Sequence, residues 1–220
     1  DLTADSNIYA SLSEGFKAGG YATYECTEPY DPEEVTSLEF GFKGSLGENT
    51  SLNASLFRYD YTDFQVLQVV GIQTVTRNAG DATVNGLELE ALTNVSDSLT
   101  LNYGVTLLDA TYGDFLNTNG LEPQLGVQQL EGNYLSNAPK VSVNFGLNYT
   151  NILSSGSSLT YRANAAYKSK IYFSEFNEYS QDAYTIVDLN LIWESADETF
   201  RSRFFIKNAT DEEYISGYLS

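Results

Sequence analysis

The chain has 220 residues, a formal charge of −19, 17 Tyr, 12 Phe, 17 Gly, one Cys, and neither His nor Met. So acidic a chain carries too few Lys and Arg to neutralise a phosphate backbone, which argues against nucleic acid as a partner. Without histidine most zinc, copper and general-base schemes lose their usual residue, and no apolar run approaches the ~18 residues of a membrane helix.

In chain order, nine stretches alternate apolar and polar side chains, the period of extended strands with one greasy and one wet face. Residues 7–17 set Ile8, Ala10 and Leu12 against Ser11 and Ser13. A Gly-rich acidic connection over 18–34 carries Tyr21, Tyr24, Cys26, Pro29, Tyr30 and Pro32. Residues 35–46 set Leu38, Phe40 and Phe42 against Glu39, Gly41 and Lys43, and Gly47-Glu48-Asn49-Thr50 reads as a tight turn. The third strand starts at Ser51 with Leu52, Ala54 and Leu56 on its apolar face, then becomes less regular until Gly80.

The fourth, over 82–92, opposes Leu87, Leu89 and Ala91 to Glu88 and Glu90, and a turn is expected at 94–97. In the fifth, Leu101, Tyr103, Val105 and Leu107 face away from Asn102, Gly104 and Thr106. The longest irregular segment, 113–137, precedes the clearest strand, 141–149, where every odd position from Val141 to Tyr149 is apolar. After a turn at 154–157, Leu159, Tyr161, Ala163, Ala165 and Tyr167 oppose Arg162, Asn164 and Lys168. A medium connection over 174–182 leads to Val187, Leu189, Leu191 and Trp193 opposite Asp188 and Asn190. A turn at 196–199 leads to the ninth strand, where Phe200, Phe204 and Ile206 alternate with Arg201, Arg203 and Lys207.

Short and long connections alternate without a break, as they do when strands run up and down between two unlike surroundings. The expected fold is therefore all-β: an antiparallel transmembrane β-barrel segment of about nine strands occupying residues 1–220. Three features favour it over a soluble sandwich. Charged residues lie deep in the strands, aromatic residues recur near the ends of apolar runs (Tyr103, Tyr149, Tyr167, Trp193, Phe200), and tilted strands of about ten residues match the hydrocarbon thickness. The lone Cys26 either pairs with a cysteine elsewhere or is a free thiol. Lacking an initiator Met and a signal peptide, the chain reads as a processed or partial piece, with any export signal upstream.

Particular strings resemble the C-terminal half of the TonB-dependent outer-membrane receptor barrel. They are Tyr9-Ala10-Ser11 with Gly15-Phe16-Lys17-Ala18-Gly19-Gly20, then Pro32-Glu33 with Ser37, Glu39, Gly41 and Lys43. Asn78-Ala79-Gly80 with Gly86, Glu88 and Glu90 follows, then Asn137-Ala138-Pro139-Lys140, and Lys207-Asn208-Ala209-Thr210-Asp211-Glu212-Glu213-Tyr214. The family's last strand, its N-terminal plug and its TonB-contacting motif have no counterpart here. The resemblance implies nine strands of a 22-stranded plugged transporter in the outer membrane of a Gram-negative bacterium. Its partners would be outer-membrane lipid and lipopolysaccharide, the plug of the same longer chain, TonB, and a scarce small nutrient: an iron chelate, cobalamin or an oligosaccharide. A passive porin-like channel is the alternative, and a soluble β-sandwich binding module the more distant one.

No catalytic residue, metal site or cofactor is expected, and no enzyme activity: the chain has no Ser-His pair and no phosphate loop. Ligand contacts are expected from ring and hydroxyl groups on the long loops, namely Tyr21, Tyr24, Tyr30, Tyr172, Phe173, Phe176 and Tyr179. The competing reading is that these rings pack the loops or form the outer girdle. Glu39, Lys43, Glu88, Glu90, Arg162, Arg201, Arg203 and Lys207 are expected to face the lumen, with mutual pairing across neighbouring strands the plainer account. Glu25, Glu28, Asp31, Glu33 and Glu34 have the oxygen ligands Ca²⁺ needs, but a solvated rim is the simpler reading. Asp211-Glu212-Glu213 is read the same way, as a loop cap.

Overall fold

The computed structural model describes residues 5–22, 25–70 and 73–217. Along the chain lie β1 (Ser6–Lys17), β2 (Gly20–Ala22), β3 (Glu25–Tyr30), β4 (Glu33–Leu46), β5 (Thr50–Thr62), β6 (Gln65–Val70) and β7 (Gln73–Asn78). Then come β8 (Ala82–Ser96), β9 (Leu99–Tyr112), β10 (Leu116–Thr118), a 3-10 turn at Pro123–Leu125, and β11 (Val127–Gln129). β12 (Val141–Ile152), β13 (Ser158–Lys168), β14 (Ile171–Tyr172), β15 (Ser180–Gln181), β16 (Tyr184–Glu194) and β17 (Arg201–Ile206) complete it.

Nine of these strands make one antiparallel sheet in the order β1-β4-β5-β8-β9-β12-β13-β16-β17, so every wall strand neighbours the next one along the chain. The four short connections join β4 to β5, β8 to β9, β12 to β13 and β16 to β17. At the first of them Gly47 sits at φ +68, a conformation its missing Cβ makes accessible. Each long connection, expected to be irregular, holds its own small hairpin: β2–β3, β6–β7, β10–β11 and β14–β15. The turn expected at 94–97 is displaced. A bulge between Asn94 and Ser96 takes up an extra residue, β8 continues to Ser96, and the chain reverses after it.

Register keeps the two faces separate across the whole sheet. One apolar row runs from Ala10 to Phe40, Leu56, Leu87, Leu107 and Val141, each paired with the next. A wet row three positions away runs from Asn7 through Lys43, Asn53, Glu90 and Gly104 to Asn144. A slip of one residue would exchange the faces, so this agreement across strands is what fixes the register. Glycine makes room where a ring lies opposite. A Cβ at Gly86 would stand 2.2 Å from the Phe57 ring, and one at Gly41 would stand 2.2 Å from the Tyr9 ring.

Among the described residues no second sheet covers the apolar face. Leu12, Phe16 and Phe204 are 73%, 79% and 68% exposed, far from the burial a sandwich interior requires. The belt has defined limits. On β12 it extends from Val141 to Tyr149, eight residue steps or about 27 Å along the strand. Toward the long connections the same face turns polar, where Arg58 pairs with Asn85 in register and grips Asp60 through Nε and Nη2 at 2.8 and 2.6 Å. Toward the short turns, Tyr149 and Tyr161 stack with centroids 6.2 Å apart.

The buried cluster lies elsewhere, at the long-connection end. Ala79, Tyr112, Phe115 and Leu130 form it, with Phe64, Val66, Leu135 and Phe176 packed against them. Tyr112 pairs with Ala82 on the wet face, so the connections fold over that face and leave the apolar one bare.

Candidate functional site

The wet face and the connections folded over it hold the groups expected to meet a ligand. Glu39, Lys43, Glu88, Glu90, Arg162, Arg201 and Arg203 all point to this face by register. Lys207 lies one residue beyond β17 and is exposed. A cleft of about 260 Å³ opens between β4, β5 and β8, lined by Tyr9, Glu39, Lys43, Tyr59, Glu88 and Glu90 among others. Within it the Tyr9 hydroxyl donates to Glu39, and Lys43 Nζ sits 5.1 Å from the Tyr9 ring centroid.

The expected ion pairing across neighbouring strands is found only for Arg201, 3.6 Å from Glu194. Among the described residues the other charges of this face make no salt bridge. Register explains why. Glu88 and Glu90 lie opposite Ser55 and Asn53, and Arg162 lies opposite Asn148 and Asn190. Amides replace carboxylates: Arg162 Nε donates to Asn148 at 3.0 Å, and Arg203 Nε donates to Asn190 at 2.9 Å. Glu39, Glu88 and Glu90 thus lie on β4 and β8, and Arg162 and Arg203 on β13 and β17. Arg162 and Arg203 are each oriented by a neutral amide that leaves the charge uncompensated.

At the long-connection end the aromatic candidates divide. Tyr21 on β2 is 64% exposed, and Tyr179 is 38% exposed. Tyr30 is half-buried, with its ring against Gly20. Tyr172 stacks on Tyr134 with centroids 6.1 Å apart and planes 7° from parallel, while Lys170 Nζ lies 5.1 Å from the Tyr172 ring. Phe173 is tied by its backbone to Tyr179 across the β14–β15 hairpin. Phe176 is part of the packing around the buried cluster. Tyr24 lies outside the described residues. For Tyr172 and Phe176 the competing reading, ring packing within the loops, therefore describes what the side chains do.

Of the acidic run, Glu33 accepts the Gln65 backbone N–H at 2.7 Å and fastens two connections together. Among the described residues no three His, Cys, Asp or Glu side chains converge as a metal site would require. The loop cap expected at Asp211-Glu212-Glu213 is made instead by Asn208, three residues before Asp211. Asn208, at φ +48, accepts the Glu212 N–H at 3.0 Å and donates to the Glu212 carbonyl at 2.9 Å.

The residues that organise the mouth are amides, of which the sequence singles out only Asn78, and that as part of a family resemblance. Gln65 is 8% exposed and donates Nε2 to the carbonyls of Ala18 and Asp31 at 3.1 and 3.0 Å. Asn78 exchanges two bonds with the Asp31 backbone, at 2.7 and 3.0 Å, and donates to the Asp63 carbonyl at 2.7 Å. Asn177, at φ +56, accepts the Tyr134 N–H at 2.8 Å and donates back to the Tyr134 carbonyl at 2.9 Å. Edge-to-face and tilted rings run beside these latches: Tyr61 to Phe64 at 5.3 Å, Phe64 to Tyr112 at 6.2 Å, Tyr112 to Phe115 at 5.2 Å. The only signal in the sequence was a scatter of Asn and Gln beside turns, residues that tolerate a left-handed backbone and can bond it locally.

The model of the TonB dependent receptor-like β-barrel family matches residues 1–209. A relative from Acinetobacter baumannii, named "Probable TonB-dependent siderophore receptor PiuA", is 27% identical over 228 residues, covering 97% of this chain and 29% of the relative. The pesticin receptor of Yersinia enterocolitica is 25% identical over 225 residues, covering 100% and 31%. Among solved structures, the ferric yersiniabactin uptake receptor FyuA from Yersinia pestis superposes with a TM-score of 0.81 at 20% identity, over 100% of this chain and 32% of that one. The siderophore receptor PiuA from Acinetobacter baumannii gives 0.74 at 22% identity, over 96% and 30%. The chain thus spans about a third of the length of the proteins it matches.

Proposed function

The chain belongs to the TonB dependent receptor-like β-barrel family, and on that premise we propose that it is part of the wall of an outer-membrane receptor importing an iron chelate. The apolar belt meets lipid, the wet face lines a lumen within a 22-stranded barrel, and the long connections lie outside the cell. A plug carried by the same longer protein fills the lumen and moves when TonB pulls on it. The observation that carries this reading is the one-sided sheet. An exposed apolar belt bounded by a polar rim and an aromatic girdle backs onto a charged face that forms a single ion pair among the described residues. A lipid outside and a wet interior satisfy both faces; water on both sides satisfies only the charged one.

An iron chelate is favoured over cobalamin or an oligosaccharide because the relatives in hand are named siderophore and ferric-chelate receptors. Tyr21 and Tyr179 are the ring contacts best placed to meet it, being the most exposed of the candidates. Apart from the Arg201–Glu194 pair, the charges of the wet face would meet plug or cargo, since they are not spent on one another.

The test is growth of an iron-restricted Gram-negative host lacking its own receptors and expressing the full-length protein. Ferric yersiniabactin and ferric preacinetobactin serve as iron sources. Growth that depends on one of these chelates and disappears without TonB supports the reading. Uptake that persists without TonB replaces it with a passive channel.

A further inference from the structure

Two long connections that are distant in sequence are joined by more side-chain bonds than local folding requires. Asn177 reaches from one, residues 169–183, to the other, residues 113–140, by the paired bonds with Tyr134 described above. Asn117 Nδ2 donates to Glu175 at 3.0 Å, and Asn119 Nδ2 donates to Glu178 at 2.8 Å. Asn133 Nδ2 donates to the Glu175 carbonyl at 2.9 Å, and the Asn137 N–H donates to the Tyr172 carbonyl at 2.8 Å. Phe176 packs against the buried cluster, and the Tyr134–Tyr172 stack closes the outer side. A further bond within 113–140 holds Asn119 itself, whose Oδ1 accepts the Leu121 N–H at 2.9 Å.

We propose that residues 113–140 and 169–183 form a single rigid cap over the wet face, with Asn177 as its central positioning residue. The inference deepens the receptor reading and rests on it. A ligand entering at this side of the mouth moves both connections or neither, and the exposed ring of Tyr179 is held at a fixed place relative to 113–140. Three properties support this. The bonds come from several donors on 113–140, so no single rotamer change releases it. Half of the principal latch is formed by the backbone of Tyr134, which cannot rotate away. Asn177 also occupies a left-handed backbone conformation that few side chains adopt without cost, so its place is specified by conformation as well as by bonding.

The test is amide hydrogen exchange on the full-length receptor, compared residue range by residue range. Asn177→Gly keeps the left-handed backbone accessible while deleting the side-chain bonds. It should raise exchange roughly tenfold or more at 133–137 as well as at 174–179, since two bonds to Tyr134 are lost and each is worth about a factor of five. Glu178→Ala alters an exposed side chain and removes only the partner of Asn119. It should raise exchange at 119–121, across the gap from the substitution. Asn78→Ala, in the other group of latches, should leave both regions as they were. If the increase stays within the substituted connection, the two loops are independent and the proposal is overturned. This measurement needs no ligand, so a cap that responds as a unit in a protein failing the iron-restricted growth test would sink the receptor reading alone.

Discussion

Replacing Phe145 by Arg tests which side of the sheet meets lipid, and the sign of the result decides the matter. Phe145 lies at the centre of the β12 belt, four residues from Val141 and four from Tyr149, opposite Tyr103 on one side and Ala165 on the other. Its side chain is 43% exposed, so the ring already faces outward and the substitution creates no deep cavity. If the belt is tilted ~40°, its ~27 Å along the strand covers about 20 Å along the bilayer normal, which puts Phe145 close to the midplane. A cation there costs about 2–4 kcal/mol, a shift of roughly 30- to 900-fold in the unfolding equilibrium. The neighbouring residue Asn144 points to the wet face, opposite Gly104 and Ala166, and Asn144→Arg should cost little. Both variants of the full-length protein would be refolded into lipid vesicles and titrated with denaturant at matched lipid ratio. Equal stability of Phe145→Arg and wild type, or equal losses in the two variants, would refute the lipid-facing assignment. In a water-bathed sheet the same Arg would be neutral or improve solubility.

Other substitutions probe the wall and its mouth. Gly86→Val should destabilise the refolded receptor by about 1–3 kcal/mol, because the new Cβ would enter the Phe57 ring. Pairing it with Phe57→Ala should recover part of the loss in a double-mutant cycle. Asn78→Ala removes three backbone latches and should cost about 1–3 kcal/mol, read as faster proteolysis at 63–81 under native conditions. Burial pushes the Glu175 carboxyl above its ordinary range, against the opposing pull of its own backbone N–H and Asn117. The folded state therefore binds this proton more readily than the unfolded one, so cap stability rises as pH falls through the raised value and is lost as pH climbs above it. Exchange protection of 113–140, corrected for intrinsic rates, should increase as pH falls toward the ordinary carboxylate range. Glu175→Gln should abolish that slope, and a decrease in the wild type would contradict the burial argument.

Alternation made the nine wall strands legible because a period of two survives any tertiary context that keeps one face greasy. The wet-face positions of Glu88 and Arg162 followed from the same parity. Their lack of ionic partners did not, because a partner is set by the neighbouring strand's register and Asn stands opposite Arg162 on both sides. Of the hairpins in the long connections, β10–β11 and β14–β15 were missed because β14 and β15 have two residues each and β10 and β11 three, too few to display a period. Tyr172 and Phe176 read as ligand contacts because composition reports that rings are present on a loop, and says nothing of whether another loop already covers them. Asn177 and Tyr134 are 43 residues apart, and no local rule joins them. The shifted turn after β8 had a local cause, the bulge at Asn94, which short-range patterning does not register.

Because every wall strand neighbours the next along the chain, the sheet from β4 to β17 is a succession of four two-strand units, each closed by a short turn. Removing or duplicating one such unit leaves the pairing partners of all the others within the same local reach and requires no rethreading of the backbone. The circumference of a wall built this way can change in steps of one hairpin. Each step carries with it one loop on the far side and one pair of wet-face rows. Variation in loop repertoire and in pore width are then a single event at the level of the gene, not two that must coincide.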